Sequence, residues 1–150
     1  QSINAIKDLA EHLNMPYVID RWLGGTLTNF KVLNSRVKKL EEMEIQKKTG
    51  ELENKYTKKE RLLFEREMVK MASKFEGLKK LTKMPDLVFV SSLKESALPV
   101  REAKRMGIKV AAISNTDADP ETVDYVIPAN DRSKKSVDLI VQNIKKELTE

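Results

Sequence analysis

The 150-residue chain has no cysteine and a single histidine, His12. The first absence excludes disulfides, thiolate metal sites and cysteine nucleophiles. The second leaves little material for a zinc centre or a histidine-based catalytic site. No apolar run approaches the roughly 20 residues that a membrane span needs, and the start shows no secretory n-region and h-region. Neither an internal repeat nor a low-complexity tract is visible. Glycine-rich phosphate signatures are missing too: there is no G-x-G-x-x-G and no G-x-x-x-x-G-K-[ST], only the Gly24-Gly25-Thr26 run. The expectation is a cytosolic protein without a membrane partner, metal or cofactor.

What is present is charge. Apolar residues make up 40% and charged residues 34% of a chain long enough for one domain with a real core. Between Arg21 and Lys83 there are 17 Lys and Arg against 9 Asp and Glu, a local balance of +8, while the remainder carries −3. Basicity gathered in one segment points to a polyanion met by one part of the molecule. Solvated charged helices are the plainer alternative.

The patterning predicts an α/β body interrupted by a long helical insertion. Ser2–Asn14 has Ile3, Ile6, Leu9, Ala10 and Leu13 at helical spacing, and Pro16 ends that helix. Short β-rich runs follow at Tyr17–Ile19, Leu87–Val90, Val110–Ile113 and Tyr125–Ile127. Helices are expected at about Glu95–Met106, closed by Gly107, and at about Ser133–Leu148. This alternation implies a parallel sheet covered on both faces, a doubly wound architecture. Two further helices fall between the first two runs, about Thr28–Lys48 and Lys58–Leu81. Phe30, Leu33, Val37, Leu40 and Met43 form a narrow stripe on one, and Phe64, Met68, Met71, Phe75 and Leu78 on the other. Narrow stripes suit a coiled-coil seam. Thr49-Gly50 ends the first helix and Thr57-Lys58-Lys59-Glu60 is a capping box that opens the second. The expected result is an antiparallel hairpin over residues 26–83, with arms of about 30 Å, inserted into a body formed by residues 1–25 and 84–150.

Each motif has a plain reading beside its functional one. Gly24-Gly25 stands between strand and helix, where a phosphate site would lie, but tight chain reversal and an N-cap at Thr26 or Thr28 explain it more simply. Trp22 is expected to wedge the hairpin base against the body, and Arg21 to meet an anion. Asn115, Asp117, Asp119 and Asp124 follow a strand and could hold Mg²⁺, yet Asp119-Pro120 is a plain turn signature. Ser91-Ser92 has no base positioned by the sequence, and His12 falls on the polar side of its helix. The basic side chains remain: Arg21 at the root, Lys31, Arg36, Lys38, Lys39, Lys47 and Lys48 on the first arm, and Lys58, Lys59, Arg61, Lys79, Lys80 and Lys83 on the second. Cations on a stiff rod fit ribose-phosphate backbone without reading base sequence. Two other functions stand beside this one. One is a nucleotide- or Mg²⁺-dependent α/β enzyme using the GGT and DADPE runs. The other is a protein adaptor pairing the arms with another helix through Ile45, Leu62, Leu63 and Val69.

The runs RWLGGTLTNFK (Arg21–Lys31), MPDLVFV (Met84–Val90), EAKRMGI (Glu102–Ile108) and NTDADPETVDYVIPAND (Asn115–Asp131) closely resemble the bacterial ribosomal protein S2 family. The resemblance runs in order along essentially the whole chain. It implies a flavodoxin-like body carrying a coiled-coil hairpin, non-enzymatic and bound to small-subunit rRNA. It also implies a place bridging the head and body of the small subunit near the mRNA exit, and contact with other small-subunit proteins, including the large mRNA-binding one. Arg21 then faces RNA while Trp22, Gly24, Gly25 and Thr28 form the hairpin hinge. Two departures stand out. Family members begin before the residue matching Gln1, with a further strand that would lie between Tyr17–Ile19 and Leu87–Val90, so the chain reads as a piece lacking its front. Asp131-Arg132-Ser133 also stands where the family usually has a second acidic residue, and Ser91-Ser92-Leu93 differs from its usual apolar-acidic run.

Overall fold

A computed structural model describes residues 2–50 and 56–149. The turn expected between the two arms, residues 51–55, lies outside the described residues. Five α-helices and three strands are described: α1 (Ile3–His12), α2 (Phe30–Lys48), α3 (Lys58–Phe75), β1 (Leu87–Val90), α4 (Ala97–Arg105), β2 (Lys109–Ser114), β3 (Tyr125–Pro128) and α5 (Lys134–Glu147). Short 3₁₀ turns follow α3 at Glu76–Leu78 and precede β3 at Pro120–Thr122.

The strands form a parallel sheet in the order β1-β2-β3, with Val88 opposite Val110 and Ala112 opposite Val126. β2 is central, and its Val110, Ala112 and Ile113 are wholly buried. Side chains alternate across the pleat, which divides the body into two cores. Val90, Val110 and Ala112 pack with Val100 and Ala103 of α4 and with Leu27. On the other face Ile113, Phe89 and Ile127 pack with Leu9 of α1 and with Val137 and Val141 of α5. Helices therefore cover both faces, as a parallel sheet requires. An ion pair of Lys145 with Asp8, 2.8 Å, joins α5 to α1 at the surface.

A third cluster belongs to the two long helices. Leu33, Val37 and Leu40 of α2 pack with Phe75, Leu78 and Leu81, supported by Phe30, Met68 and Met71. All of these but Leu81 belong to the two stripes read from the sequence. Among the described residues three charge pairs cross between the chain segments: Lys39–Glu67 at 2.8 Å, Lys47–Glu65 at 3.3 Å and Lys79–Glu44 at 2.7 Å. The capping box at the start of α3 is present in both halves: the Glu60 amide donates to Thr57 Oγ1, and the Thr57 amide donates to the Glu60 carboxylate at 2.9 Å. Gly50 adopts φ +72° and Gly107 φ +70° after the helices they end.

Two local expectations need correction. Tyr17–Ile19 is not a strand. Its Tyr17 amide donates to the Gly77 carbonyl at 2.9 Å, and Val18 packs on the long-helix cluster. The Tyr-Val-Ile composition records a half-buried surface rather than a ladder, and here that surface leans on the end of the second arm. Nor is either Thr26 or Thr28 an N-cap. The first arm begins at Phe30 with Asn29 in the cap position and no side-chain cap bond, and the amides of Gly25, Leu27 and Thr28 are engaged elsewhere.

Candidate nucleic-acid interface

The amides of Gly25, Leu27 and Thr28 converge on one carboxylate. Glu102 lies on α4 between Val100 and Ala103, at the edge of the helix face that packs on the sheet, and is only 6% exposed. Its Oε1 accepts from the Gly25 amide at 2.8 Å and from the Trp22 indole nitrogen at 3.3 Å. Its Oε2 accepts from the amides of Leu27 at 2.9 Å and Thr28 at 3.3 Å. Burial pushes this carboxyl up, while the amides of Leu27, Gly25 and Thr28 and the indole pull it down; the donors prevail and the group titrates below an ordinary glutamate. The glycine-threonine run is thus an anion cradle of the kind sequence alone suggests, and the anion is the chain's own side chain. A phosphate at the same amides would have to displace a buried carboxylate.

The loop geometry explains its residues. Gly25 has φ +92° and needs glycine, whereas a Cβ at Gly24 would meet nothing within 4 Å. Trp22 packs on the body core, its neighbour Leu23 on the arm cluster, and Leu27 returns to the body, 1% exposed. The root is stitched alternately into both cores. Thr26 closes the turn by donating its hydroxyl to the Leu23 carbonyl at 2.6 Å.

The basic residues divide into two groups. Lys39, Lys47 and Lys79 are bound to glutamates across the arms, and Lys79 is half-buried by that contact. Arg21, Lys31, Arg36, Lys38, Lys80 and Lys83 are exposed, and among the described residues none has a carboxylate within ion-pair distance. Lys48, Lys58 and Lys59 are exposed near the arm ends, and Arg61 is half-buried. Ile45, Leu62, Leu63 and Val69 lie outside the seam on exposed faces.

The other candidates of the sequence are occupied by protein partners. Asp117 binds Lys94 at 2.9 Å and Arg132 at 2.7 Å, and the Lys94 hydrogen bond leads the pull that lowers its pKa. Asp119 accepts from the Glu121 amide at 3.0 Å and starts the 3₁₀ turn. Asp124 takes Lys109 at 2.7 Å and the Val110 amide at 2.9 Å. Among the described residues no three His, Asp or Glu side chains come together as a metal-holding group. Ser92 donates to Asp131 at 2.6 Å, and His12 faces Thr149 at the protein surface.

Sequence reasoning passed over Glu102. The signal available was a carboxylate at a helical position continuous with the apolar Val100 and Ala103, where an unpaired charge would be costly. No described helix is long and apolar enough to cross a membrane. A comparison with protein families matches residues 1–150 to the family described as ribosomal protein S2, which covers the sheet, the Glu102-filled root and both arms. The parallel sheet agrees with this match over residues 1–150, which leads to one conclusion: the chain belongs to the ribosomal protein S2 family, a family of structural proteins of the small ribosomal subunit.

Proposed function

We propose that this protein binds small-subunit rRNA through the hairpin root and the exposed faces of the two arms. In this reading the body is flavodoxin-like, α2 and α3 act as an antiparallel coiled-coil hairpin, and the protein supports the head-body junction near the mRNA exit of a cytoplasmic ribosome. The match over residues 1–150 carries the proposal. Arg21, Lys31, Arg36, Lys38, Lys80 and Lys83 support it as exposed cations that no carboxylate of the described residues pairs. Lys48, Lys58, Lys59 and Arg61 extend the contact toward the arm ends, while Lys39, Lys47 and Lys79 contribute by stiffening the rod through their ion pairs. Long-range attraction of such cations to ribose-phosphate is sequence-independent and falls steeply with salt.

The exposed Ile45, Leu62, Leu63 and Val69 favour a second use of the same arms, contact with neighbouring small-subunit proteins, including the large mRNA-binding one. Two measurements test the proposal. Association with a small-subunit rRNA transcript should weaken sharply from low to moderate salt, and a flat response would refute the electrostatic reading. Deleting Leu33–Phe75 should abolish co-purification with small subunits; retention would show that the arms are not the contact.

A further inference from the structure

The capture of Glu102 by the root has a consequence for the rest of α4. On a helix with 100° per residue, Pro99, Val100 and Ala103 define the buried face, and Glu102 sits at one margin of it. Arg105, three residues on, lies 60° further out on that same margin. Arg101 lies one turn before Arg105 on the same outward face, and both are exposed. Lys104 falls on the opposite margin, where its Nζ donates to the Glu121 carbonyl. The hydrogen bonds from Trp22, Gly25, Leu27 and Thr28 to Glu102 therefore bring the root to the Arg105 side of the helix, with Arg101 on the outward face one turn before, and Arg21 directly precedes Trp22.

We propose that Arg101 and Arg105 form, with Arg21, a second RNA-backbone contact on the body, distinct from the arms and continuous with the hairpin root. This proposal rests on the rRNA-binding reading above and extends it to a surface the sequence did not single out. Three observations favour a phosphate partner over a solvated face. Among the described residues neither Arg101 nor Arg105 has a carboxylate within ion-pair distance, and the polar contact of Arg101 is the Ala97 carbonyl of its own helix. Glu102, the acidic residue of that stretch, is turned inward and consumed by the root, so the outward face carries positive charge alone. All three residues are arginines, whose planar fork grips a phosphate in a bidentate way that lysine does not match. By contrast, Lys39, Lys47 and Lys79 on the arms are already neutralised by glutamates.

The test compares the whole chain with two double variants, Arg101→Gln/Arg105→Gln and Arg101→Lys/Arg105→Lys. Binding to a full-length small-subunit rRNA transcript is measured across a salt series. The slope of log affinity against log salt falls by about one for each phosphate contact removed. The Gln pair should lose about two units of slope while keeping its melting temperature, and the Lys pair should keep most of the slope. An arm variant, Arg36→Gln/Lys38→Gln, separates the two ideas. If it weakens binding and the Gln pair on α4 does not, the body contact is refuted and the rRNA reading stands. If neither variant changes the slope, the rRNA reading itself fails and this proposal with it.

Discussion

Replacing Glu102 by glutamine should destabilise the fold far more than a near-isosteric change suggests. Each carboxylate oxygen accepts two N–H groups, at 2.8 and 3.3 Å on one and 2.9 and 3.3 Å on the other. The amide keeps one acceptor and turns the other into a donor facing two donors. Two buried N–H groups then lose their partner, at about 1–3 kcal/mol each, and the surviving pair loses its charge assistance. A loss of about 3–5 kcal/mol follows, a large share of the roughly 5–15 kcal/mol of a typical domain. At about 2–4 °C per kcal/mol for a chain of this size, the melting temperature should fall by about 10 °C. Urea titration and calorimetry at neutral pH would measure both. The pH dependence supplies an independent check. The folded carboxyl titrates below the ordinary value of 4.5, so its contribution is complete above that value and is lost as pH falls through the folded pKa. The gap between parent and variant should narrow over that acid window and be widest at neutrality. A variant within about 0.5 kcal/mol of the parent at pH 7, below the cost of even one lost hydrogen bond, would refute the view that Glu102 anchors the root.

Three more substitutions probe the same region and the arms. Gly25→Ala should cost about 1–2 kcal/mol through its left-handed backbone, whereas Gly24→Ala should be near neutral, as thermal melts of the pair would show; equal effects would contradict the loop geometry. Leu40→Ala, at a side chain with 0% exposure between the long helices, should cost about 2–5 kcal/mol and speed limited proteolysis of residues 30–75. Proteolysis unchanged by that substitution would mean that the arms do not depend on a shared seam.

Much of this architecture could be read directly from the sequence where the information is local. Leu87–Val90 forms a strand with the expected ends, and the Thr57–Glu60 capping box is spelled by residues three apart. Leu33, Val37, Leu40, Phe75 and Leu78 report their shared cluster through helical spacing. Reading failed where a residue's role depends on a distant partner. Tyr17–Ile19 has strand composition, but a strand exists only with a neighbour in the ladder, and its amide found Gly77 instead. Glu102 and Gly25 are 77 positions apart, so a glutamate in a charged helix gave no indication of the donors awaiting it. Charge was legible in kind rather than in use: the lysine count is plain from composition, but which lysines are bound by glutamates across the arms requires the folded helices.

The inward-turned carboxylate also governs how the proposed hairpin would meet its RNA. A loop whose amides were free would be ordered by the incoming anion, and part of the association energy would be spent on that ordering. Here the loop is already closed on itself, and alternate residues are sewn into two separate hydrophobic clusters. The first long helix leaves the body in a heading settled during folding, so on the rRNA-binding proposal its fit to the RNA surface is decided before the two molecules touch.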